Sequence, residues 1–503
     1  GENRQPQQFR VAREPSEAFT VAAGAIATIR GTRRRALPQP DRLLQNRPSM
    51  QPDHSPRCTL PRARSPKQRD DLIQTGLVVL CALLMRAWFI TSGLVLDPMT
   101  GDAIQYCNYA WNMLHAHVFS LAEPGSAAVT PDGFRDPGYP LLLALLMGPL
   151  GSGDTWYHCV LGVQALLGAL TAGLTERVAR SWLGARPALI VGLAVALWPH
   201  NVVMCDFLLS ETLFGFTVVA ALWLLARAQR RGKLLHWGAA GLGLGAAAMV
   251  NATLSPFGAL SAAMLWLRKA APRSAAAALL ISSLLLPGAW AMRNAGLPPL
   301  AAPTGRALGN LVQGSWPEYH AAFMAAEQGD AGARETMSHI YAEMALAMDT
   351  PLQGLIAVFQ RVAGAPWHYA AWYAWKPELL WGWTLRIGAG GDIYPYPILH
   401  PLYRVDAAMR AFESLCVTFN PVLGILMLGA AAALLARPAA LRASPLLYAT
   451  ALLVAFETVV YTVLQSEPRY SIPLRPLQML LAVTAGRWLW HCWTLRRQRP
   501  TGS

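Results

Sequence analysis

A succession of about ten apolar runs of helical length limits what this chain can fold into. The first is Leu72 to Leu96. At about 1.5 Å of rise per residue it covers the roughly 30 Å of hydrocarbon in a bilayer, where the backbone must pair its own polar groups and so becomes a helix. Charged residues are only 14% of the 503, against about 25% in a soluble domain. The formal net charge of +14 would suit a nucleic-acid partner. The basic residues, however, lie in the N-terminal tail and in short loops between apolar runs, as the positive-inside bias requires. The expectation is an all-α polytopic membrane protein of about ten spans, in contact with membrane lipids and with no nucleic-acid partner.

Residues 1–71 are rich in Arg, Pro, Gln and Ser and carry no apolar period, so a disordered, basic cytoplasmic tail is expected. Its short apolar piece, Ala18 to Ile29, precedes Arg33-Arg34-Arg35 and leaves a targeting role open. The tail also reads as an over-extended start, because the chain begins with Gly and its first Met is Met50. An N-terminal membrane module follows at 72–294, with a first outer loop at 96–155. Then come an outer segment at 295–410, C-terminal membrane helices at 411–491 and a cytoplasmic tail at 492–503. Tyr139 to Leu150 reaches only about 18 Å and reads as juxtamembrane or re-entrant. With that choice, the runs 156–175, 187–204, 207–226, 234–250 with 256–267, 275–292, 412–435, 446–463 and 472–490 keep the arginine-rich loops and both termini inside. The pair 234–250 and 256–267 breaks near Asn251-Ala252-Thr253. Asn294 to Arg410 shows no pattern of a soluble core. Its Trp367, Tyr369, Trp372, Tyr373, Trp375, Trp381 and Trp383 suit helices lying at the interface, where one ring could stack on a sugar.

The chemistry-bearing residues gather around the first outer loop. Gly101 lets the chain bend, and Asp102 to His115 reads as a helix with Tyr106, Tyr109 and Met113 on the face of Asp102. A second cluster is Phe134-Arg135-Asp136-Pro137-Gly138-Tyr139-Pro140. Asp102 reads either as a helix N-terminal carboxylate or as a base. Asp97, before Pro98, suits a turn. Arg135 suits a phosphate or lipid headgroups, with Asp136 as its ion-pair partner. Glu211 stands near the outer end of a span, as an interhelical partner for an arginine or as a site residue, and Asp206 beside it suits a cap. Arg293 and Arg469 read as phosphate clamps or as interface markers. His158 and His200 are isolated, and Arg86 snorkels from the first span or pairs inside the bundle. The 7 cysteines form no Cys-x-x-Cys pair, so no zinc or redox site is expected, and a Cys107–Cys159 disulfide is only a weak option. Asp-x-Asp is absent, and Gly388-Ala389-Gly390-Gly391 does not sit between a strand and a helix. Nucleotide-sugar and dinucleotide sites therefore lack support.

Taken in order, Asp102 with Tyr106, Arg135-Asp136-Pro137-Gly138-Tyr139-Pro140, Ser210-Glu211, Trp290-Ala291-Met292-Arg293-Asn294 and Arg469-Tyr470 form a recognisable set. On these motifs the chain resembles, over about residues 72–490, the GT-C glycosyltransferases that use polyprenyl-phosphate sugars. That group contains the protein O-mannosyltransferases and the lipid A aminoarabinose transferases. The resemblance implies a lipid-linked monosaccharide donor and an acceptor hydroxyl on a lipid, glycan or protein. By position, Asp102 becomes the base, and Asp97, Tyr106, Arg135, Asp136, Tyr139, Glu211, Arg293, Asn294, Arg469 and Tyr470 become substrate-binding. The loop charges place the site outside, in the periplasm or its equivalent, and the expected location is a bacterial inner membrane. No metal ligand is assigned, and a divalent metal stays open as a cofactor. Ala103 departs from the Asp-Glu pair of the mannosyltransferases, which weakens any inference of mannose or of a protein acceptor. A transporter or flippase of lipid-linked sugars is the alternative. It would place ionisable groups near the midplane of broken, repeated helices, whereas here they gather toward one surface. A non-catalytic partner in cell-wall assembly is a third reading.

Overall fold

The computed structural model describes residues 66–298, 301–387 and 390–497; the expected tail at 1–65 and the pair Gly388-Ala389 lie outside them. Most of the described chain is helical, and the two short strands hold only four residues. The first helix, α1 (Pro66–Ser92), is followed by a two-residue strand, β1 (Leu94–Val95), and by α2 (Asp102–His115) and α3 (Gly138–Leu150) of the first outer loop. Next come α4 (Asp154–Ala179), α5 (Ala185–Leu197), α6 (Pro199–Val203), α7 (Glu211–Arg231), α8 (Leu234–Val250), α9 (Phe257–Leu267) and α10 (Arg273–Asn294). The outer segment holds α11 (Pro303–Gly314), α12 (Tyr319–Glu327), α13 (Ala331–Asp349), α14 (Pro351–Gly364), α15 (Pro366–Trp381), strand β2 (Ile398–Leu399) and α16 (Leu402–Val405). The chain closes with α17 (Ala407–Leu435), α18 (Pro438–Ala443), α19 (Pro445–Val463), α20 (Pro468–Ser471) and α21 (Arg475–Arg497).

Six of the described helices are long and apolar enough to cross a membrane: α1 from Arg69, α4, α7, α10, α17 and α19. A seventh span results if α5 and the segment Pro199–Asp206 count as one, bent by 56°. The bend has a local cause. Trp198 is extended before Pro199, whose ring disfavours helix in the preceding residue and removes an N–H. The other expected spans fall on α8 and α9, which are 17 and 11 residues long, and on α21, which begins at Arg475 and ends at Arg496-Arg497. The break between α8 and α9 lies where expected: Asn251 caps the short turn by accepting the Thr253 N–H. α3 is 13 residues, too short to cross on its own.

Several polar residues inside the bundle are paired, as burial favours. Arg86 does not snorkel; its guanidinium donates to the carbonyls of Ala82, Ala196 and Asn201, where α5 meets α6. Gln164 on α4 donates to the carbonyls of Cys205 and Phe207 and accepts from the Tyr139 hydroxyl. One buried amide thus ties α3 to the loop that delivers Ser210 and Glu211. Arg475 donates to Asn420 of α17 at 2.9 Å and to the carbonyls of Trp381 and Gly382. Cys107 and Cys159 are both free thiols, so the disulfide option is not realised.

The outer segment corrects two expectations. It has small cores of its own: Tyr319, Ala322, Met337 and Ile340 form one, and Val312, Ala347 and Val358 another. In the first, tyrosine, alanine and methionine carry much of the burial that leucine or valine usually signals. Its aromatic residues also divide. Trp367 and Trp375 are exposed, whereas Tyr369, Trp381 and Trp383 are buried, Trp381 donating to Thr458 of α19. β1 pairs antiparallel with β2, which brings the 390s to the head of α2.

Candidate active site

Asp102 begins α2 and has no side-chain cap before it; Gly101 takes φ 55° there, a conformation that favours glycine. The hydroxyl of Tyr396, delivered by the β1–β2 pairing, accepts the Asp102 N–H at 3.3 Å in place of a cap. The carboxylate lies among the free N–H groups of the first turn, where the helix dipole favours negative charge. Tyr106, one turn on, is buried, and its ring meets the edge of Tyr139 at 5.0 Å.

Two arginines converge on Asp102. Arg135 ion-pairs with one oxygen while its Nε donates to Gln105 at 2.7 Å and its guanidinium lies 5.2 Å over the Tyr106 ring. Arg469 donates to the other oxygen at 2.8 Å and ion-pairs through Nε with Glu211. Burial by itself would raise the Asp102 pKa, but the two guanidinium groups overcome it and hold the carboxyl well below the usual range. Both arginines are pushed the other way, burial being outweighed by Asp102 for Arg135 and by Glu211 and Asp102 for Arg469. In this state Asp102 is a weak base and a strong organiser of positive charge.

The cluster forms part of the wall of a cavity of about 620 Å³. Asp102, Tyr106, Arg135, Asp136, Glu211, Arg469 and Tyr470 all line it, so seven of the expected site residues come together. The polar groups of Asn251, Thr253, Asn310, Gln313 and Gln465 also line it, and Val250, Pro256, Phe456, Val460 and Leu464 add apolar surface. Tyr461 and Tyr470 stack 5.1 Å apart, Tyr461 accepting from Asn251 and Tyr470 donating to Gln465.

Several expected roles change. Asp136 is not the partner of Arg135: its carboxylate accepts from Arg306 at 2.7 Å and from the Ala252 N–H at 3.2 Å, joining α11 to the α8–α9 break. Arg135 is committed to Asp102. Arg293 does not face the cavity; it donates to the carbonyls of Phe119 and Asp132 and packs over Phe119 and Trp290, holding the first outer loop. Asn294 accepts from Arg293, and Tyr139 is spent on Gln164. Asp97 closes a turn by accepting the Met99 N–H. None of these four lines the cavity. His200 bonds the Trp383 carbonyl and His158 the Asp154 carbonyl.

The sequence reading passed over Gln105, Arg306, Tyr396, His320 and Glu467. Gln105 was within reach of it, standing beside Tyr106 on α2. The others come from the outer segment or follow a late span, with no motif to single them out. Among the described residues no group of three His, Cys, Asp or Glu could hold a metal ion, and three of the cavity's carboxylates are engaged by arginine.

No family model matches the sequence, and no curated relative does. Among solved structures, the chain is similar to the archaeal oligosaccharyltransferase AglB from Archaeoglobus fulgidus in complex with an inhibitory peptide and a dolichol-phosphate. The likeness has 12% identity and a TM-score of 0.48, covering 86% of this chain and 51% of that one. It is also similar to ArnT from Cupriavidus metallidurans bound to undecaprenyl phosphate, with 14% identity and a TM-score of 0.34, covering 84% and 79%. The chain spans about half the length of the oligosaccharyltransferase chains it matches.

Proposed function

We propose that the protein is an integral-membrane glycosyltransferase that moves a monosaccharide from a polyprenyl-phosphate donor to an acceptor hydroxyl, on the non-cytoplasmic face of a bacterial inner membrane. The observation that carries this reading is the convergence of Arg135 and Arg469 on Asp102 in the wall of one cavity. Two guanidinium groups in a buried site suit a phosphate, which each can grip through paired N–H donors. The apolar wall from Val250 to Leu464 suits the lipid that carries it.

A bound phosphate competes with Asp102 for the arginines. As they turn to it, Asp102 loses the charges that depress its pKa and becomes able to accept a proton. The acceptor oxygen then attacks the anomeric carbon, the bond from that carbon to the phosphate oxygen breaks, and its electron pair leaves with the phosphate. Arg135 and Arg469 stabilise the developing charge, and Asp102 takes the proton of the acceptor hydroxyl.

Purified protein supplied with labelled polyprenyl-phosphate sugars and a lipid extract tests this directly. Transfer is expected, and Asp102→Asn is expected to lower its rate by about 10² to 10⁴, the usual worth of a general base. Asparagine keeps the size of the side chain, so the variant should remain monodisperse. Retention of more than about a tenth of the rate in a folded variant would move the proton acceptor elsewhere. Movement of intact lipid-linked sugar across a vesicle bilayer, with no bond broken, would establish the flippase instead.

A further inference from the structure

Four carboxylates line the cavity: Asp102, Asp136, Glu211 and Glu467. The first three are each ion-paired to an arginine. Glu467, 2% exposed, is different. Its Oε1 accepts the Arg386 N–H at 2.7 Å, but its buried Oε2 has no hydrogen bond among the described residues. Nε2 of His320, on α12, lies 3.3 Å from that oxygen and is likewise buried without a hydrogen bond. Glu467 stands two residues before Arg469, and Tyr319 and Tyr470 are near enough to feel the charges of both Asp102 and Glu467. A carboxylate used only to hold the Arg386 N–H needs one oxygen. The second has only the His320 ring at ion-pair distance, and because an ionised carboxylate offers about four lone-pair sites and no proton, it stays under-satisfied in a buried wall, which is costly.

We propose that Glu467, with His320 beside it, is the specificity-determining contact for the carried sugar, accepting hydrogen bonds from its hydroxyl groups while Arg135 and Arg469 hold the phosphate. This rests on the donor reading given above. A pair of neighbouring hydroxyls supplies further donors to the carboxylate, while His320, which does not itself line the cavity, holds Oε2 in position. The carboxylate discriminates because hydrogen bonds to a charged group outweigh neutral ones.

The test measures dissociation constants for undecaprenyl phosphate, bare and carrying glucose, mannose or arabinose, in wild type, Glu467→Gln and His320→Gln. Wild type is expected to bind at least one sugar-carrying lipid about tenfold more tightly than the bare one, the scale of one charge-assisted hydrogen bond. Glutamine still accepts the Arg386 N–H, so Glu467→Gln should keep its affinity for bare lipid phosphate and lose the preference. His320→Gln should lose part of it. Equal weakening for bare and sugar-carrying lipid would make Glu467 a loop anchor and overturn the inference, as would a preference that survives both variants. A wild type that binds lipid phosphate with no sugar preference overturns the inference and leaves the phosphate site standing. A wild type that binds none of the lipids overturns both.

Discussion

Asp102 carries the most information of any single residue here, because its two arginine partners set both its charge and its availability. Its folded-state pKa lies below the ordinary value, so its contribution to stability is fully present above the unfolded pKa of about 4 and is lost as pH falls through the depressed folded value. The difference in Tm between wild type and Asp102→Asn should therefore stay constant from about pH 7 to about pH 5 and close only below about pH 4. Thermal denaturation across that range measures it, and a difference that closes near neutrality would mean that the arginines do not hold the carboxylate. Asp102 itself was legible from the sequence. Its partnership with Arg135 and that of Asp136 with Arg306 were not, because Asp136 is adjacent to Arg135 in the chain and Arg306 is 170 residues away. Adjacent side chains usually diverge, so proximity in sequence pointed to the wrong pair.

Among the elements, the segment from the end of α19 through α20 decides the site, for it carries Gln465, Glu467 and Arg469. Two contacts with the outer segment fix it. Gly314, at the end of α11, approaches so closely that an added Cβ would lie 2.2 Å from the Leu464 carbonyl oxygen. Lys376 of α15, fully buried, donates to the carbonyls of Gly314 and Leu464, while Ser466 donates to the Lys376 carbonyl. Gly314→Ala should cost about 1 to 3 kcal/mol as an overpacked contact against backbone, and should weaken binding of bare lipid phosphate by displacing Arg469. Thermal denaturation and the lipid titration report the two effects separately. Burial pushes the Lys376 ammonium down to about 7 from about 10.4 in an unfolded chain. Between those values the unfolded state binds more protons, so stability rises with pH. Wild type should gain Tm relative to Lys376→Met between about pH 7 and pH 10, and a gain on acidification instead would contradict the burial argument.

For the whole molecule, the membrane orientation follows from where positive charge lies between spans. Arg177, Arg180 and Arg186 lie at the turn from α4 to α5, and Arg230 and Arg231 end α7 before Lys233. These belong on the cytoplasmic side if the bias holds, which leaves the α2 loop and the cavity on the other. Ser126, exposed in the first outer loop, should label as Ser126→Cys with an impermeant maleimide in intact cells, above the background of native cysteines. Arg231→Cys should label only after permeabilisation. The reverse pattern would put the cavity in the cytoplasm and exclude a periplasmic transfer.

Periodicity and apolar length were enough to determine that the chain is helical and polytopic, that α2 begins at Asp102 and that the α8–α9 pair breaks at Asn251. Each of those properties depends on neighbours within a few turns. The order of the motifs also named Asp102, Arg135, Glu211 and Arg469 as companions before any of their distances were known. Tertiary structure alone decided that Arg293 and Asn294 serve the first outer loop, that Arg306 belongs to Asp136, and that Glu467 faces the cavity without an arginine. The reason is physical: an ion pair or a cavity wall is set by which helices pack together, and in a bundle of this kind the packed helices are often hundreds of residues apart in sequence.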